Sequence, residues 1–319
     1  MQQCTQWYQD DEFQLPENML TLAPEEIVDP PSKQSLLHFM VKIGDLRVEL
    51  LSIGKGPKLL IIPGFGISGM SLIHQLTDMA QHFQLLIIHL PGSGLSDGMP
   101  DLLYPPTVAG TIKDVLDAVN VNDSIHVMAF SFGGLIAQEL VKQYPQRFRT
   151  LTLGCSFTRT DSADTSEQSL EEKFRADFSH MENADQYYEL YLASKCVNKS
   201  SFDYLPKASL TTYTTIPGIR DISLPTLVIS GQLDAVVDCE ESEIIAEHIP
   251  RSVHVRFPQG GHCVNITNPS EFNRIVQLFI EHDGLVPLRK WNELQENHEI
   301  NICRNFEINN QISSEGSVG

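Results

Sequence analysis

Two kinds of hydrophobic pattern alternate along this chain. From Leu36, the string LLHFMVKI, the dipeptide Gly44-Asp45 and the string LRVELLSI predict a β-hairpin, because Gly-Asp supplies turn conformations that most residues resist. Short apolar runs follow at Lys58–Ile62, Gln84–Leu90, Ser124–Phe130, Arg149–Gly154, Pro225–Ser230 and Ser252–Phe257. Runs of this length without alternation suit strands buried on both faces of a parallel sheet. Between them, Ser71–Phe83, Thr107–Val119, Phe132–Tyr144, Cys239–Ile249 and Pro269–His282 carry a helical period. Strand–helix alternation behind an antiparallel hairpin predicts a doubly wound α/β sheet.

One stretch breaks the alternation. Between Gly154 and Leu224 no buried-strand run occurs, and two helical patterns take its place, Glu167–Met181 and Ala184–Val197. The second carries Tyr187, Tyr188, Tyr191 and Leu192. The pattern predicts a helical lid over residues 157–222, set above the carboxyl edge of the sheet, where open α/β sheets bind ligands. An ordinary crossover elaborated for stability is the plainer alternative. The remainder divides into an N-terminal arm at 1–35, punctuated by Pro16, Pro24, Pro30 and Pro31, a core at 36–156 and 223–283, and a polar tail at 284–319. The tail is rich in asparagine, and fraying is expected there.

Composition narrows the function classes. The 319 residues are 41% hydrophobic and 20% charged, as in an ordinary folded protein. Lysine and arginine number 22 against 41 aspartates and glutamates, a net charge of −19. A surface that acidic repels phosphate backbones and anionic headgroups, which argues against nucleic-acid and membrane partners. Cys4, Cys155, Cys196, Cys239, Cys263 and Cys303 are scattered, without a C-x-x-C pair or metal-ligand spacing, the usage of a reducing compartment. The first residues, MQQCTQWYQDDEFQLPENML, lack the basic flank and apolar core of a signal peptide. No apolar run approaches the roughly 20 residues that span a bilayer. A soluble cytoplasmic protein is expected.

The literal pattern G-x-S-x-G occurs at Gly94-Leu95-Ser96-Asp97-Gly98, but loop residues such as Pro100, Pro105 and Pro106 follow it. A nucleophile elbow needs a buried strand before the serine and a helix straight after it. Ala129-Phe130-Ser131-Phe132-Gly133 meets that requirement, lying between the run Ser124–Phe130 and a helical pattern. Small residues two before and two after the serine relieve a tight turn. A serine hydroxyl needs a base to take its proton. Among eleven histidines, His262 follows Gly260-Gly261 in a loop after a strand ending at Phe257, at the sheet's carboxyl edge. His126 and His254 lie within strands, and His82, His248 and His282 on or beside helices, where structural or solvated roles are expected. Asp234 leaves the strand Leu227–Ser230 at the same edge and is the expected partner of the imidazole, with Asp238 in reserve as a helix cap. Backbone N–H groups of Phe65, in the turn Pro63-Gly64-Phe65-Gly66, and of Phe132 are the expected oxyanion donors. Phe65, Phe130, Phe132, Tyr187 and Tyr191 are the expected walls of an apolar substrate pocket.

On these motifs, with the order Ser131, Asp234, His262, the chain resembles the α/β-hydrolase superfamily over about residues 36–283, in its lid-bearing branch. His89-Leu90-Pro91-Gly92-Ser93-Gly94-Leu95-Ser96 looks like the family's D-x-P-G-x-G-x-S loop, with His89 in place of the aspartate. The oxyanion turn has Pro63-Gly64 where the family usually has His-Gly. The resemblance implies an eight-stranded, mostly parallel sheet with helices on both faces. It also implies cofactor-free acyl transfer by Ser131. A small acyl compound is the expected partner, no metal is expected, and a monomer or homodimer is the expected assembly. Serine at position 131 excludes the aspartate nucleophile of the dehalogenase branch. The expected reaction is hydrolysis of an ester, lactone or thioester. A carbon–carbon hydrolase of β-diketones and a non-catalytic binding protein stay open as alternatives, since a fold does not choose among them.

Overall fold

A computed structural model describes residues 36–98, 104–160, 167–195 and 213–304. The expected arm at 1–35, parts of the expected lid at 161–166 and 196–212, and the end at 305–319 lie outside the described residues. β1 (Leu37–Ile43) and β2 (Leu46–Ile53) form the predicted hairpin, Ile43 opposite Leu46, with Gly44 at φ 61° in the turn. In chain order there follow β3 (Lys58–Ile62), α1 (Ile73–Asp78), β4 (Gln84–Ile88), α2 (Pro105–Ala118), β5 (Ile125–Phe130), α3 (Phe132–Gln143) and β6 (Phe148–Gly154). The insertion supplies α4 (Glu167–Phe178) and α5 (Ala184–Ser194), and a short α6 (Ile216–Ile219) leads into β7 (Thr226–Gly231). The chain continues through α7 (Cys239–His248), β8 (Ser252–Phe257), α8 (Val264–Thr267), α9 (Pro269–Glu281), α10 (Leu288–Asn297) and β9 (Asn301–Arg304).

The strands form one sheet in the order β1-β2-β4-β3-β5-β6-β7-β8-β9. Pairs from β4 through β8 are parallel, and β1–β2, β2–β4 and β8–β9 are antiparallel. β3 lies between β4 and β5, so the chain leaves β3 to one side and later returns on the other. The loops after β3 and β5 therefore diverge at a switch point, where open sheets form a crevice. Residues of β3 alternate between two cores. Leu60 and Ile62 join Val127, Ala129, Ile136 and Leu140, while Leu59 and Ile61 join Met128, Phe130, Phe272 and Phe279. Burial on both faces is why these strands read as unbroken apolar runs.

Three expectations are corrected. Among the described residues the sheet has nine strands rather than eight, because Asn301–Arg304 pairs antiparallel with β8, Asn301 opposite Arg256. Residues 284–304 are not a frayed tail: Trp291 and Leu294 of α10 are buried with Val286 and Ile300 against the second core. A few well-spaced apolar residues suffice to dock α10 on the core, and its polar outer side masks them in the sequence. The helix expected at Ser71–Phe83 divides into a 3₁₀ turn at Gly69–Leu72, α1, and a second 3₁₀ turn at Met79–Gln81. No described helix is long and apolar enough to cross a membrane.

Candidate active site

Ser131 stands between β5, buried throughout, and the first turn of α3. Its φ of 51° and ψ of −123° lie where a side chain is strained, and the surrounding backbone holds it there. Ser131 N–H donates to Gly154 O at 3.0 Å, and Ser131 O accepts from Gly134 N–H at 2.9 Å and from Ser156 Oγ at 3.1 Å. A Cβ at Gly133 would overlap the carbonyl oxygens of Pro63 and Ile62, so the small residue two after the serine is a packing necessity. The turn after β3 comes as close: a Cβ at Gly64 would sit 3.4 Å from Ser131 Cβ. Phe65 and Phe132, the expected oxyanion residues, therefore flank the serine, their rings edge-on at 6.1 Å. The first N–H groups of a helix have no intrahelical acceptor, and Phe132 opens α3.

His262 and Asp234 come together at the same edge. His262 Nδ1 lies 2.8 Å from Asp234 Oδ2, and Asp234 Oδ1 accepts from the N–H groups of Val236 and Val237, both at 2.8 Å. A carboxylate so held cannot swing away from the imidazole. Burial works against the charged imidazolium, yet the charge and hydrogen bond of Asp234, with the charge of Asp177, hold the His262 pKa above its ordinary value. His262 and Ser131 share the wall of one cavity of about 110 Å³. Phe65, Phe130 and Tyr191 line it. Phe132 and Tyr187 are not in its wall: Phe132 packs toward the core, and Tyr187 stacks on Phe178 at 6.0 Å. Leu170, Phe174, Lys195, Cys155 and Cys263 also line it and were not anticipated.

The alternatives are occupied elsewhere. Ser96 is buried, donates to His89 O at 2.8 Å and accepts from Glu49 N–H at 2.9 Å. His126 and His254 are lowered to about 4 by burial, and they bond Thr150 Oγ1 at 2.9 Å and Ser230 Oγ at 2.8 Å. Asp238 caps α7 through Glu240 N–H at 3.0 Å. The departure at His89 also has a physical reason. Its Nε2 accepts from Gly69 N–H at 2.7 Å, so Nδ1 is the donor to Glu49 Oε2 at 2.6 Å. The same Glu49 oxygen accepts from Leu95 N–H at 2.6 Å, so a histidine–glutamate pair ties this loop together. Among the described residues, Cys155, Asp234 and His262 place metal-capable atoms within 4.8 Å of one another, but the aspartate and imidazole are already joined by their hydrogen bond.

Asp177, near the end of α4, is a further residue that sequence reasoning missed. Its carboxylate accepts from His262 N–H at 2.7 and 2.8 Å and from Ala235 N–H at 3.1 Å. In the sequence it is one acid in the charged run Glu171–Phe178, and no local signal sets it apart.

Known proteins share this plan. A family model for the alpha/beta hydrolase fold matches residues 57–189. The pimeloyl-[acyl-carrier protein] methyl ester esterase of Aeromonas hydrophila is 24% identical over 74% of this chain and 100% of its own length. Polyketide synthase ThaQ of Burkholderia thailandensis is 25% identical over 75% of this chain, which spans only 12% of that protein. A hydrolase from Pseudomonas aeruginosa PA01 superposes with a TM-score of 0.67 at 22% identity, over 78% of this chain and 99% of its own.

Proposed function

We propose that this chain, a member of the α/β-hydrolase superfamily, is a serine hydrolase that cleaves an ester, lactone or thioester of a small, largely apolar acyl compound. Ser131 Oγ attacks the carbonyl carbon while His262 takes its proton. Nδ1 is engaged with Asp234, so Nε2 is the accepting nitrogen, and Asp234 stabilises the imidazolium that forms. The oxyanion develops beside the N–H groups of Phe65 and Phe132. As the tetrahedral intermediate collapses, the bond to the alcohol or thiol breaks and that group leaves with the proton from His262. Water then gives a proton to His262 and attacks acyl-Ser131, and the released serine recovers the proton.

The observation that carries this reading is the 2.8 Å bond between His262 and Asp234, with His262 in the same cavity wall as Ser131. Phe65, Phe130, Phe174 and Tyr191 make that wall apolar, which suits a small hydrophobic acyl group. The relative named as a methyl ester esterase supports the ester class. We read the insertion, residues 157–222, as a lid, because Leu170, Phe174 and Tyr191 bring its helices into the cavity wall. The described cysteines Cys155, Cys239, Cys263 and Cys303 are free, which supports a cytoplasmic location.

The test is a substrate panel of aryl esters of increasing acyl length, lactones, thioesters and β-diketones. Turnover of short apolar esters that disappears in Ser131→Ala and persists in Ser96→Ala is expected. Activity confined to β-diketones, or undiminished in Ser131→Ala, would sink the reading.

A further inference from the structure

The helices α4 and α5 of the insertion end on different loops of the proposed catalytic centre. At the end of α5, Ser194 O accepts from Ser68 N–H at 2.9 Å and Ser68 Oγ at 3.0 Å, and Ile67 bridges Lys195. That end is tied to the segment carrying Phe65. At the end of α4, Asp177 is 1% exposed, and its carboxylate takes the N–H of His262 on one side and of Ala235 on the other. One buried side chain thereby holds the loop of the base and the loop of its partner Asp234. Phe174, one turn earlier, sets its ring edge-on to His262 at 5.5 Å, and His180 Nε2 lies 3.1 Å from Gln259 O. Gly261 permits the approach, since a Cβ there would fall 2.6 Å from both Asp177 oxygens.

Burying a carboxylate costs free energy unless hydrogen bonds replace its water. Burial raises the Asp177 pKa, opposed by the charge of His262 and by the two N–H donors. These compensations exist only while α4 lies on the site. When α4 lifts, the carboxylate regains water and His262 N–H loses its acceptor.

We propose that Asp177 is a positioning residue that couples the docking of α4 to the placement of His262, so that the acid–base machinery is complete only with α4 docked. This rests on the reading of Ser131, His262 and Asp234 as a triad. Among the described residues, Asp234 after β7, Asp177 on α4, Cys155 after β6 and the adjoining Cys263 lie against this imidazole, and Tyr191 and Lys195 at the end of α5 share its cavity wall, Lys195 paired with Glu171 at 2.7 Å. Burial pushes both thiols well up, so they stay neutral, and the charges that raise the His262 pKa are those of Asp234 and Asp177.

The experiment compares full-length wild type, Asp177→Asn, Asp177→Ala and Gly261→Ala. The readouts are aryl-ester kinetics, histidine ¹⁵N NMR titration with His262 assigned through His262→Gln, and hydrogen exchange of the His262 amide. Asp177→Asn keeps an acceptor and loses the charge, so the His262 pKa falls and the acidic limb of kcat/KM moves to lower pH. Asp177→Ala lowers kcat about a hundredfold, the scale of a misplaced catalytic group, with KM little changed and the amide exchanging faster. Gly261→Ala reproduces that pattern with Asp177 present. Unchanged kcat, His262 pKa and amide exchange in folded Asp177→Ala would overturn the proposal. If Asp177→Ala does not fold, Asp177→Asn and Gly261→Ala decide by the same criteria. An inert wild type would instead remove the hydrolase reading, while titration and exchange still decide the placement.

Discussion

His262 and Asp234 are locked as a pair: one carboxylate oxygen meets Nδ1 at 2.8 Å, and the other is held by the N–H groups of Val236 and Val237. The orientation of the imidazole is thus built into a loop whose backbone already satisfies the acid. Asp234→Asn would keep the shape and can present its amide N–H to Nδ1, favouring the wrong tautomer. We expect kcat on a responsive aryl ester to fall by about 10⁴, the scale of such a change in a serine triad, with thermal unfolding little altered. Steady-state kinetics beside a melting curve checks this.

The raised His262 pKa makes a prediction of definite sign. A protonated imidazole cannot accept the serine proton, so kcat/KM falls as pH drops through the His262 pKa, with a midpoint above the ordinary 6.5. Stability runs the other way. A pKa raised by folding contributes fully below the unfolded value, and the contribution is lost as pH rises through the folded one. A pH–rate profile with its acidic midpoint below the ordinary value would contradict the Asp234 and Asp177 assignment.

His126 and His254 titrate in the opposite sense. Burial lowers each from 6.5 to about 4, so the unfolded chain takes up their protons first. Their contribution to stability therefore declines as pH falls from the first value to the second, and levels off below it. His254→Gln keeps a partner for Ser230 and removes one titration, so the denaturation free energy should depend less steeply on pH in that window. Urea melts at several pH values measure it.

Trp291 anchors the segment after α9. It is 2% exposed and belongs to the core that holds Phe272 and Phe279. Trp291→Ala should cost about 3–5 kcal/mol, the usual range for emptying an aromatic core site. Chemical denaturation would show it, and a change near zero would mean that this segment adds little to the fold.

The parallel strands were legible because burial on both faces leaves unbroken apolar runs, as in Leu59–Ile62. The meeting of Ser131, Asp234 and His262 at one edge of the sheet was legible because each follows a strand end among small or loop-forming residues. Asp177 was not, since its burial depends on a loop some 85 residues away and its neighbours Glu171, Glu172 and Arg175 make the helix look solvated. Glu49 was missed for a similar reason: it sits on β2, and only the folded sheet sets it against His89. Ser96 is set apart from Ser131 in the sequence by the loop chemistry after it, and in the fold its hydroxyl donates to His89 O.

The most direct measurement is intact-mass analysis after treatment with a fluorophosphonate, on wild type, Ser131→Ala and Ser96→Ala. A single adduct on wild type and Ser96→Ala, absent from Ser131→Ala, is the expected result and marks Ser131 as the activated nucleophile. An adduct that survives in Ser131→Ala, or a folded wild type that never labels, would contradict it.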